Sequence, residues 1–338
     1  MNTDTVLTGI TTTGTPHLGN YVGAIRPAIE ASRKKDAAYF YFLADYHAII
    51  KCHQPETIRR SSMEVAATWI ALGLDTDNAI FYRQSDIPEI MELTWILTTV
   101  TAKGLMNRAH AYKAAVQENE EARSKDPDQG ITMGLFSYPI LMSADILMFK
   151  AKKIPVGKDQ IQHIEMARDI AGRFNHLYGE TFVLPEAVVD ENSAVLTGLD
   201  GRKMSKSYNN TIPLFLPEKQ LRKLIMKIKT NSQAPEEPKE TVGCTLFQIY
   251  QAFATKAEAD AMKTRYANGI GWGEMKQSLF EYLNGHLQGP RERFNELMED
   301  PAHLEKVLQE GKEKAREISA PFLKEIRKAI GIATLQNR

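Results

Sequence analysis

Short apolar runs, rich in β-branched and aromatic residues, recur through the first half of the chain. Three of them predict buried parallel strands, at residues 5–10, 38–45 and 78–84. The stretches between them have the spacing of amphipathic helices, as at 18–35 and 55–72. Strand and helix in alternation indicate an α/β protein with a doubly wound parallel sheet, which binds its ligands at the carboxyl ends of the strands.

The next part of the chain is less regular. Asp86 is the expected N-cap of a helix that reaches about residue 102, whereas the polar segment 117–130 predicts an exposed loop. Residues 152–157 predict another strand, and residues 159–174 predict the helix that follows it. The sheet therefore continues beyond the polar segment.

From about residue 217 onward the pattern is almost entirely helical, broken by the loop 230–243. A chain of 338 residues is longer than one ordinary core, so a second, α-helical domain is expected there. The sequence has no apolar run of eighteen residues and no charged-then-apolar leader, which predicts a cytoplasmic protein without membrane spans.

Cysteine content and charge narrow the classes of site. Cys52 and Cys244 are far apart and form no CxxC pair, which argues against a disulfide framework or a cysteine-based metal site. The 42 basic residues balance 42 acidic ones, so the overall positive charge of many nucleic-acid-binding proteins is missing. A local basic patch would still be able to bind nucleic acid.

The stretch GTPHLGNYVG, residues 14–23, follows the first predicted strand and opens the first predicted helix. Its backbone N–H groups therefore point out of the carboxyl edge of the sheet, where they suit a phosphate or a ribose. Gly19 and Gly23 share a helix face and let a flat group approach the backbone, while His17 and Asn20 supply side-chain donors. On its own, the stretch also fits an ordinary glycine-containing helix start.

A second stretch, GRKMSKSYNN at residues 201–210, carries Lys203 and Lys206 in a predicted loop beside Ser205 and Ser207. Cations on a loop suit negative charge that accumulates on a phosphate during a reaction. Alone, this stretch would equally fit a solvated basic turn. Together, the two stretches predict a site in which one holds a nucleoside and the other holds its triphosphate.

HLGN and KMSKS at this separation resemble the two signature motifs of class I aminoacyl-tRNA synthetases, the first of which is normally HIGH. The segments YPILMSADILMFKA (138–151) and VGKDQIQHIEMARDIA (156–171), with the helical tail, resemble tryptophanyl-tRNA synthetases over nearly the whole chain. The resemblance implies that ATP with Mg²⁺, tryptophan and tRNA(Trp) are bound, and that the chain forms a homodimer.

The resemblance also implies a division of the chain into four parts. These are a Rossmann-like catalytic domain at 1–200, a KMSKS loop and linker at 201–216, an α-helical anticodon-binding domain at 217–300, and a C-terminal helix at 301–338 that packs back on the catalytic domain.

Site residues follow from the same resemblance. Those expected to act in the reaction are His17, Asn20, Lys203, Ser205 and Lys206. Those expected to bind ATP are Thr11, Thr12, Thr13, Gly19, Asn20, Gly23, Lys113, Gly157, Lys158, Asp159, Val195, Leu196, Lys203, Met204, Ser205, Lys206 and Ser207. Those expected to bind tryptophan are Leu7, Gly9, His47, Tyr138, Met142, Asp145 and Gln160.

Tyrosyl-tRNA synthetases resemble the chain in the same motifs, so the amino-acid pocket must decide between the two substrates. In the tyrosine family a tyrosine normally stands at the position of Leu7 and helps to bind the phenol. An indole N–H only donates, and Asp145 alone would satisfy it, whereas a phenol would leave its acceptor side unpaired at about 1 to 3 kcal/mol. Met142, one turn before Asp145, offers a polarisable thioether to an aromatic ring.

Structural explanations compete at several of these positions. For Asp145 the alternative is a bridge within the core, although an unpaired buried carboxylate is costly, and for Met142 it is ordinary core packing. For Lys113 the alternative is an ordinary exposed lysine. His163 and Glu165 suggest a metal, but residues two apart on a helix face different directions, so they are interpreted as structural and no metal ligands are predicted.

Two features depart from the family pattern. The segment before the first motif is usually Gln-Pro-Ser or Arg-Pro-Thr, whereas here it is Thr11, Thr12 and Thr13, whose hydroxyls would contact phosphate or Mg²⁺. Some relatives hold an iron–sulfur cluster on four cysteines in the C-terminal domain. With only Cys244 in this region, no iron–sulfur cluster is predicted, and Cys244 is expected to be a small buried side chain.

Two other classes of protein remain open from the sequence. One is a small-substrate adenylyltransferase, which would need no anticodon-binding domain. The other is a regulatory paralogue that binds tRNA or tryptophan without aminoacylation. Both motifs are present here, which argues against lost chemistry.

Overall fold

The computed structural model describes residues 4–189 and 195–332. Its strands are β1 (Thr5–Thr11), β2 (Ala38–Ala44), β3 (Ala79–Arg83), β4 (Lys153–Pro155) and β5 (Glu186–Val188). In the described residues they form one parallel sheet in the order β3-β2-β1-β4-β5. The predicted doubly wound sheet is confirmed.

The helices alternate with the strands and then continue alone. They are α1 (Leu18–Asn20), α2 (Arg26–Ser32), α3 (Asp45–Ala48), α4 (Pro55–Ala71), α5 (Pro88–Val100), α6 (Lys103–Met106), α7 (His110–Glu121), α8 (Met133–Met148), α9 (Ile161–Tyr178), α10 (Glu218–Met226), α11 (Thr245–Phe253), α12 (Lys256–Ala267), α13 (Trp272–Glu299) and α14 (Pro301–Ala329). A π-helical turn, Tyr21–Ile25, joins α1 to α2.

Strand order explains where a ligand site can form. β1 is central, with β2 and β3 on one side and β4 and β5 on the other. The order in which successive strands are added to the sheet therefore reverses at β1. In open α/β sheets the crevice outside such a reversal is where ligands bind. The first motif begins directly after β1, and it therefore lies at this crevice.

Two local predictions are wrong. Asp86 does not cap the following helix, because a 3₁₀ turn (Gln84–Asp86) intervenes and Arg83 Nε donates to the Asp86 carboxylate at 3.0 Å. The segment 117–130 is not wholly a loop, because its first residues complete α7. No residue of that helix is fully buried, although Tyr112 packs partly against the core, so only a weak apolar pattern marks the helix in the sequence.

Helices α10 to α13 surround an apolar cluster of their own. Leu18 and Val22 of the first motif belong to this cluster, as does Met204 of the second motif. Both motifs are therefore anchored on the helical region as well as at the sheet. Cys244 is half-buried rather than buried, because it immediately precedes α11, with its Sγ atom 3.4 Å from the Tyr266 hydroxyl.

The long helix α14 returns to the sheet and lies against β3. A Cβ atom at Gly311 would lie only 1.7 Å from the carbonyl oxygen of Phe81, so glycine permits this approach. Arg316 donates to Glu89 of α5 at 2.8 Å, and Arg83 donates to Glu305 at 2.8 Å.

None of the helices within residues 4–189 and 195–332 combines the length and the apolar character that a membrane span requires.

Candidate active site

The two sequence motifs are joined by main-chain hydrogen bonds. Leu18 N donates to Ile212 O at 3.0 Å, and Leu214 N donates to Pro16 O at 3.0 Å. The chain that follows the second motif thus pairs with the chain that opens the first, across almost 200 residues of sequence. The sequence prediction that both stretches build one site agrees with this pairing.

Two side chains of α4 accept hydrogen bonds from the turn between β1 and α1. Gly14 has φ 95°, a left-handed conformation that glycine adopts without steric cost, and its N–H donates to Ser61 Oγ at 2.7 Å. The hydroxyl of Thr15 donates to the buried carboxylate of Glu64 at 2.7 Å. Neither Ser61 nor Glu64 was predicted from the sequence, because their role depends on packing between distant segments.

His17 and Asn20 form a capping box at the start of α1. Asn20 N donates to His17 Nδ1 at 3.3 Å, and His17 N donates to Asn20 Oδ1 at 3.1 Å. Burial, with a smaller contribution from Lys206, lowers the pKa of His17 to about 4, so the ring is neutral near pH 7. Because Nδ1 accepts, the ring proton resides on Nε2, which remains a donor.

Lys206 links the second motif to the first. Its Nζ atom donates to the carbonyl oxygens of Thr13 and Gly14, at 2.9 Å each. Desolvation lowers the pKa of Lys206, while the nearby Glu64 carboxylate opposes this shift. The lysine therefore already lies over the turn of the first motif.

A buried asparagine gives the second motif its shape. Asn210 Oδ1 accepts from Ser205 N at 2.8 Å, and Asn210 Nδ2 donates to Asp200 at 2.7 Å and to Lys203 O at 3.1 Å. These bonds fix the backbone on both sides of Lys203. The side chain of Lys203 makes no ion pair with any residue in the described ranges.

A cavity of about 640 Å³, here called the motif cavity, lies between the two motifs. Of the residues predicted to bind ATP or to act in the reaction, its lining includes Thr11, Thr13, His17, Gly19, Asn20, Gly23, Val195, Leu196, Lys203, Met204, Ser205 and Lys206. A Cβ atom at Gly19 would lie only 3.1 Å from the His17 ring. Glycine at this position therefore gives the ring room.

A second cavity of about 670 Å³, here called the sheet cavity, adjoins the first at Thr11 and Thr13. Its lining includes every residue predicted to contact the amino acid, namely Leu7, Gly9, His47, Tyr138, Met142, Asp145 and Gln160, together with Gly157. It exposes more apolar than polar surface, which suits an aromatic side chain.

Asp145 is the buried charge of the sheet cavity, with 1% of its surface exposed. It is not unpaired, contrary to one premise of the sequence argument. His47 Nε2 lies 2.9 Å from Asp145 Oδ2, and Gln84 Nε2 donates to both carboxylate oxygens at 2.8 and 2.9 Å. Burial raises the pKa of Asp145, and the hydrogen bonds from His47 and Gln84 oppose that shift.

Comparisons with known proteins agree with this geometry. Residues 2–288 match the family of class I tRNA synthetases (W and Y). The chain is 60% identical to the tryptophan–tRNA ligase of Pseudomonas aeruginosa over 99% of this chain and 75% of that one. It is 59% identical to the tryptophan–tRNA ligase of Neisseria meningitidis, over 99% of this chain and the whole of that one.

Solved structures give the same result. The tryptophanyl-tRNA synthetase of Campylobacter jejuni, crystallised with ADP and tryptophan, superposes with a TM-score of 0.87 and 44% identity, over 97% of this chain and 99% of that chain. The chain belongs to the tryptophanyl-tRNA synthetases of class I. Tyrosyl-tRNA synthetases share the fold at a lower TM-score, 0.62 for that of Archaeoglobus fulgidus at 19% identity.

Five residues predicted to bind ATP in a tryptophanyl-tRNA synthetase lie outside the lining of both cavities. They are Thr12, Lys113, Lys158, Asp159 and Ser207. Thr12 is fully buried, and its hydroxyl has no hydrogen-bond partner among the described residues. Lys113 lies on the exposed helix α7, at a separate surface depression.

The contacts of two residues that support the sheet cavity, Gln84 and His163, do not follow from the sequence. Gln84 is fully buried, and it holds Asp145 across 61 residues of sequence. A signal was available, since Gln84 directly follows a buried strand, where α/β enzymes carry their functional side chains. The sequence interprets His163 as structural, and its ring contacts both Tyr138 and Gln160.

Proposed function

We propose that this synthetase activates tryptophan with ATP and transfers it to tRNA(Trp). In the first step the tryptophan carboxylate attacks the α-phosphorus of ATP, which forms tryptophanyl-adenylate and releases pyrophosphate. In the second step the 2′-hydroxyl of the terminal adenosine of the tRNA attacks the acyl carbon, and AMP leaves. The names of the relatives and the ADP and tryptophan in the Campylobacter jejuni structure support these substrates.

The single observation that carries the choice of amino acid is the pairing of buried Asp145 with an apolar wall. Asp145 keeps lone pairs for one more donor, since its oxygens accept only from His47 and Gln84 among the described residues. Leu7, on β1, provides no acceptor or donor for a phenol. An indole N–H satisfies Asp145 fully, whereas tyrosine would bury one side of its hydroxyl without a partner.

Charge stabilisation in the motif cavity carries the first step. Lys203 and Lys206 meet the negative charge that develops on the departing pyrophosphate, and Ser205 adds a hydroxyl donor. His17 donates from Nε2 to the α-phosphate, with Asn20 beside it. No side chain acts as a nucleophile, so the rate enhancement comes from alignment and electrostatics.

ATP is held largely by backbone and small residues. Gly19 and Asn20 contact adenosine and phosphates, Val195 or Leu196 contacts the adenine, and Gly157 contacts the ribose. The ranges 4–189 and 195–332 contain no group of three or more His, Cys, Asp or Glu side chains able to hold a metal ion. Mg²⁺ would enter as the complex with ATP, because this ion usually binds substrate phosphates and keeps several waters.

tRNA meets the helical region at 217–300, the proposed anticodon-binding domain. Exposed cations on α10 support an anionic partner there, namely Lys219, Arg222 and Lys223. The charge is local, in keeping with the balanced total.

The enzyme acts as a homodimer that buries one face of α5. Met91 and Trp95 are one helical turn apart on that face, with 40% and 70% of their surfaces exposed. Large exposed apolar side chains at this spacing suit a protein interface. Light scattering should give the mass of two chains for the wild type, and that of one chain for Trp95→Lys.

The proposed function is tested by ATP–pyrophosphate exchange with each of the twenty amino acids. We expect exchange with tryptophan and a much slower rate with tyrosine. Exchange with tyrosine at the same kcat/KM would refute the proposed substrate, and no exchange with any amino acid would refute the enzyme itself.

A further inference from the structure

The imidazole of His163 lies behind the sheet cavity rather than in its lining. It is 4% exposed, and it contacts two residues of that lining. His163 Nε2 is 2.7 Å from the hydroxyl oxygen of Tyr138, and His163 Nδ1 is 3.0 Å from Gln160 Oε1. One buried ring therefore connects α8, which carries Tyr138, to the start of α9.

The direction of each bond follows from the far end of this chain of contacts. Gln160 Nε2 donates to the Asp159 carboxylate at 3.0 Å, so the amide oxygen of Gln160 is the atom that faces His163. An amide oxygen only accepts, and His163 Nδ1 must therefore carry the proton. Burial lowers the pKa of His163, so the neutral ring has a bare Nε2 that accepts from the Tyr138 hydroxyl.

This arrangement determines what Tyr138 and Gln160 can offer to a ligand. The Tyr138 proton is used by His163, so its oxygen presents lone pairs alone. Gln160 Oε1 keeps a second lone pair after accepting from His163. Both side chains line the sheet cavity, which thus contains two acceptors and suits a group that only donates, such as an ammonium.

We infer that His163 is a positioning residue that holds Tyr138 and Gln160 as acceptors for the α-ammonium group of tryptophan. The inference rests on the proposed function, because it takes tryptophan as the substrate. His163 itself does not contact the substrate. It acts through the tautomer that the Asp159–Gln160 contact imposes on its ring.

Protonation of His163 should reverse this arrangement. An imidazolium donates from both nitrogens, so the Tyr138 proton would turn into the cavity and oppose the ammonium. Burial is the main cause of the lowered pKa of His163. Charges on His110 and His47 lower that pKa further and the Asp159 carboxylate opposes them, while Tyr138 and Gln160 are in direct contact with the ring. The KM for tryptophan should therefore rise as pH falls through the pKa of His163, below its usual range.

The experiment compares His163→Phe with His163→Gln, because glutamine can still accept from Tyr138 and donate to Gln160. His176→Phe is the matched control, since His176 is an exposed residue of the same helix. The measurements are KM for tryptophan and for ATP in pyrophosphate exchange, and Ki for indole-3-propionate, which lacks the ammonium. Each is measured across the acid range of pH.

For His163→Phe we expect KM for tryptophan to rise about 10- to 100-fold, the loss expected when bonds to a charged group are removed. KM for ATP and Ki for indole-3-propionate should stay within about threefold, which is below one hydrogen bond. His163→Gln should restore most of the affinity for tryptophan. In this variant the rise in KM for tryptophan at acid pH should be smaller than in wild type, because glutamine does not titrate. His176→Phe should match wild type.

Equal losses for tryptophan and indole-3-propionate in His163→Phe would overturn the inference, because they indicate a general disturbance of the cavity. An unchanged pH profile in His163→Gln would overturn it as well, and this holds even if His163→Phe does not fold. Absence of tryptophan-dependent exchange in wild type would instead refute the proposed function, so the two failures are distinguishable.

Discussion

The sheet cavity and the motif cavity share Thr11 and Thr13, yet they are built in different ways. In the sheet cavity the polar groups are already paired, as with buried Asp145, which accepts from half-buried His47 and from buried Gln84. In the motif cavity the main cations follow one another in the second motif, and among the described residues Lys206 donates only to backbone carbonyls. The arrangement in the sheet cavity favours selection of one ligand. The arrangement in the motif cavity favours stabilisation of the negative charge that develops during the reaction.

The largest expected effect tests the motif cavity. Lys206→Ala should slow adenylate formation by about 10²-fold, the scale seen when one preorganised donor to a developing charge is removed. Tryptophan affinity should change little, because Lys206 is absent from the lining of the sheet cavity. Single-turnover kinetics and tryptophan titration measure the two quantities separately.

The control for this variant is Lys324→Ala, at an exposed lysine of α14, and its loss should leave pyrophosphate exchange unchanged. Equal losses of rate and of tryptophan affinity in Lys206→Ala would contradict the proposed division between the two cavities.

The two cavities also differ in how far the sequence predicted them. The strands β1 to β3 follow from apolar runs, and the motifs follow from short segments of sequence, because both signals are local. The helix at His110–Glu121 does not follow from the sequence, because none of its residues is fully buried and its apolar pattern is weak. The contact of Gln84 with Asp145 and that of His163 with Tyr138 do not follow from the sequence, because they join residues 61 and 25 positions apart, which no local pattern encodes.

The next effect tests the sheet cavity. Asp145→Asn replaces a charge-assisted bond to the indole N–H by a neutral one. The resulting fall in kcat/KM for tryptophan should correspond to a loss of about 1.5 to 3 kcal/mol of transition-state stabilisation. KM for ATP should hardly change. An analogue methylated at the indole nitrogen should be a poor substrate of wild type, and Asp145→Asn should narrow that margin.

Asp169→Asn is the matched control, because Asp169 is exposed on α9. If wild type uses the methylated analogue as well as tryptophan, Asp145 does not read the indole N–H, and the choice of tryptophan loses its physical basis.

A third effect is the pH dependence of Asp145. Burial raises its pKa, so it takes up a proton at a higher pH than an ordinary carboxyl group. The protonated form loses much of its strength as an acceptor, so kcat/KM for tryptophan should fall as pH decreases through the raised value. The part of this acid limb that is due to Asp145 should be absent in Asp145→Asn, whereas the part due to His163 should remain. An unchanged acid limb in that variant would assign the whole titration to other groups.

The smallest expected effect concerns Gln84, which donates to Asp145 but does not line the sheet cavity. Gln84 Oε1 accepts from Tyr46 N at 3.1 Å, and this bond directs the amide nitrogen of Gln84 to the carboxylate. Gln84→Met keeps the side-chain volume and removes the donor. Tyr46 N keeps a partner, because it also donates to Asp45 at 3.0 Å.

Because His47 still donates to Asp145, Gln84→Met should lower kcat/KM for tryptophan by about tenfold, less than Asp145→Asn. If Gln84 acts through Asp145, the double variant Gln84→Met/Asp145→Asn should lose little more than Asp145→Asn alone. Gln288→Met, at an exposed glutamine of α13, provides the control for the substitution itself. Losses that simply add in the double variant would mean that Gln84 affects the cavity independently of the carboxylate, and that the sheet cavity is less tightly coupled than its hydrogen bonds indicate.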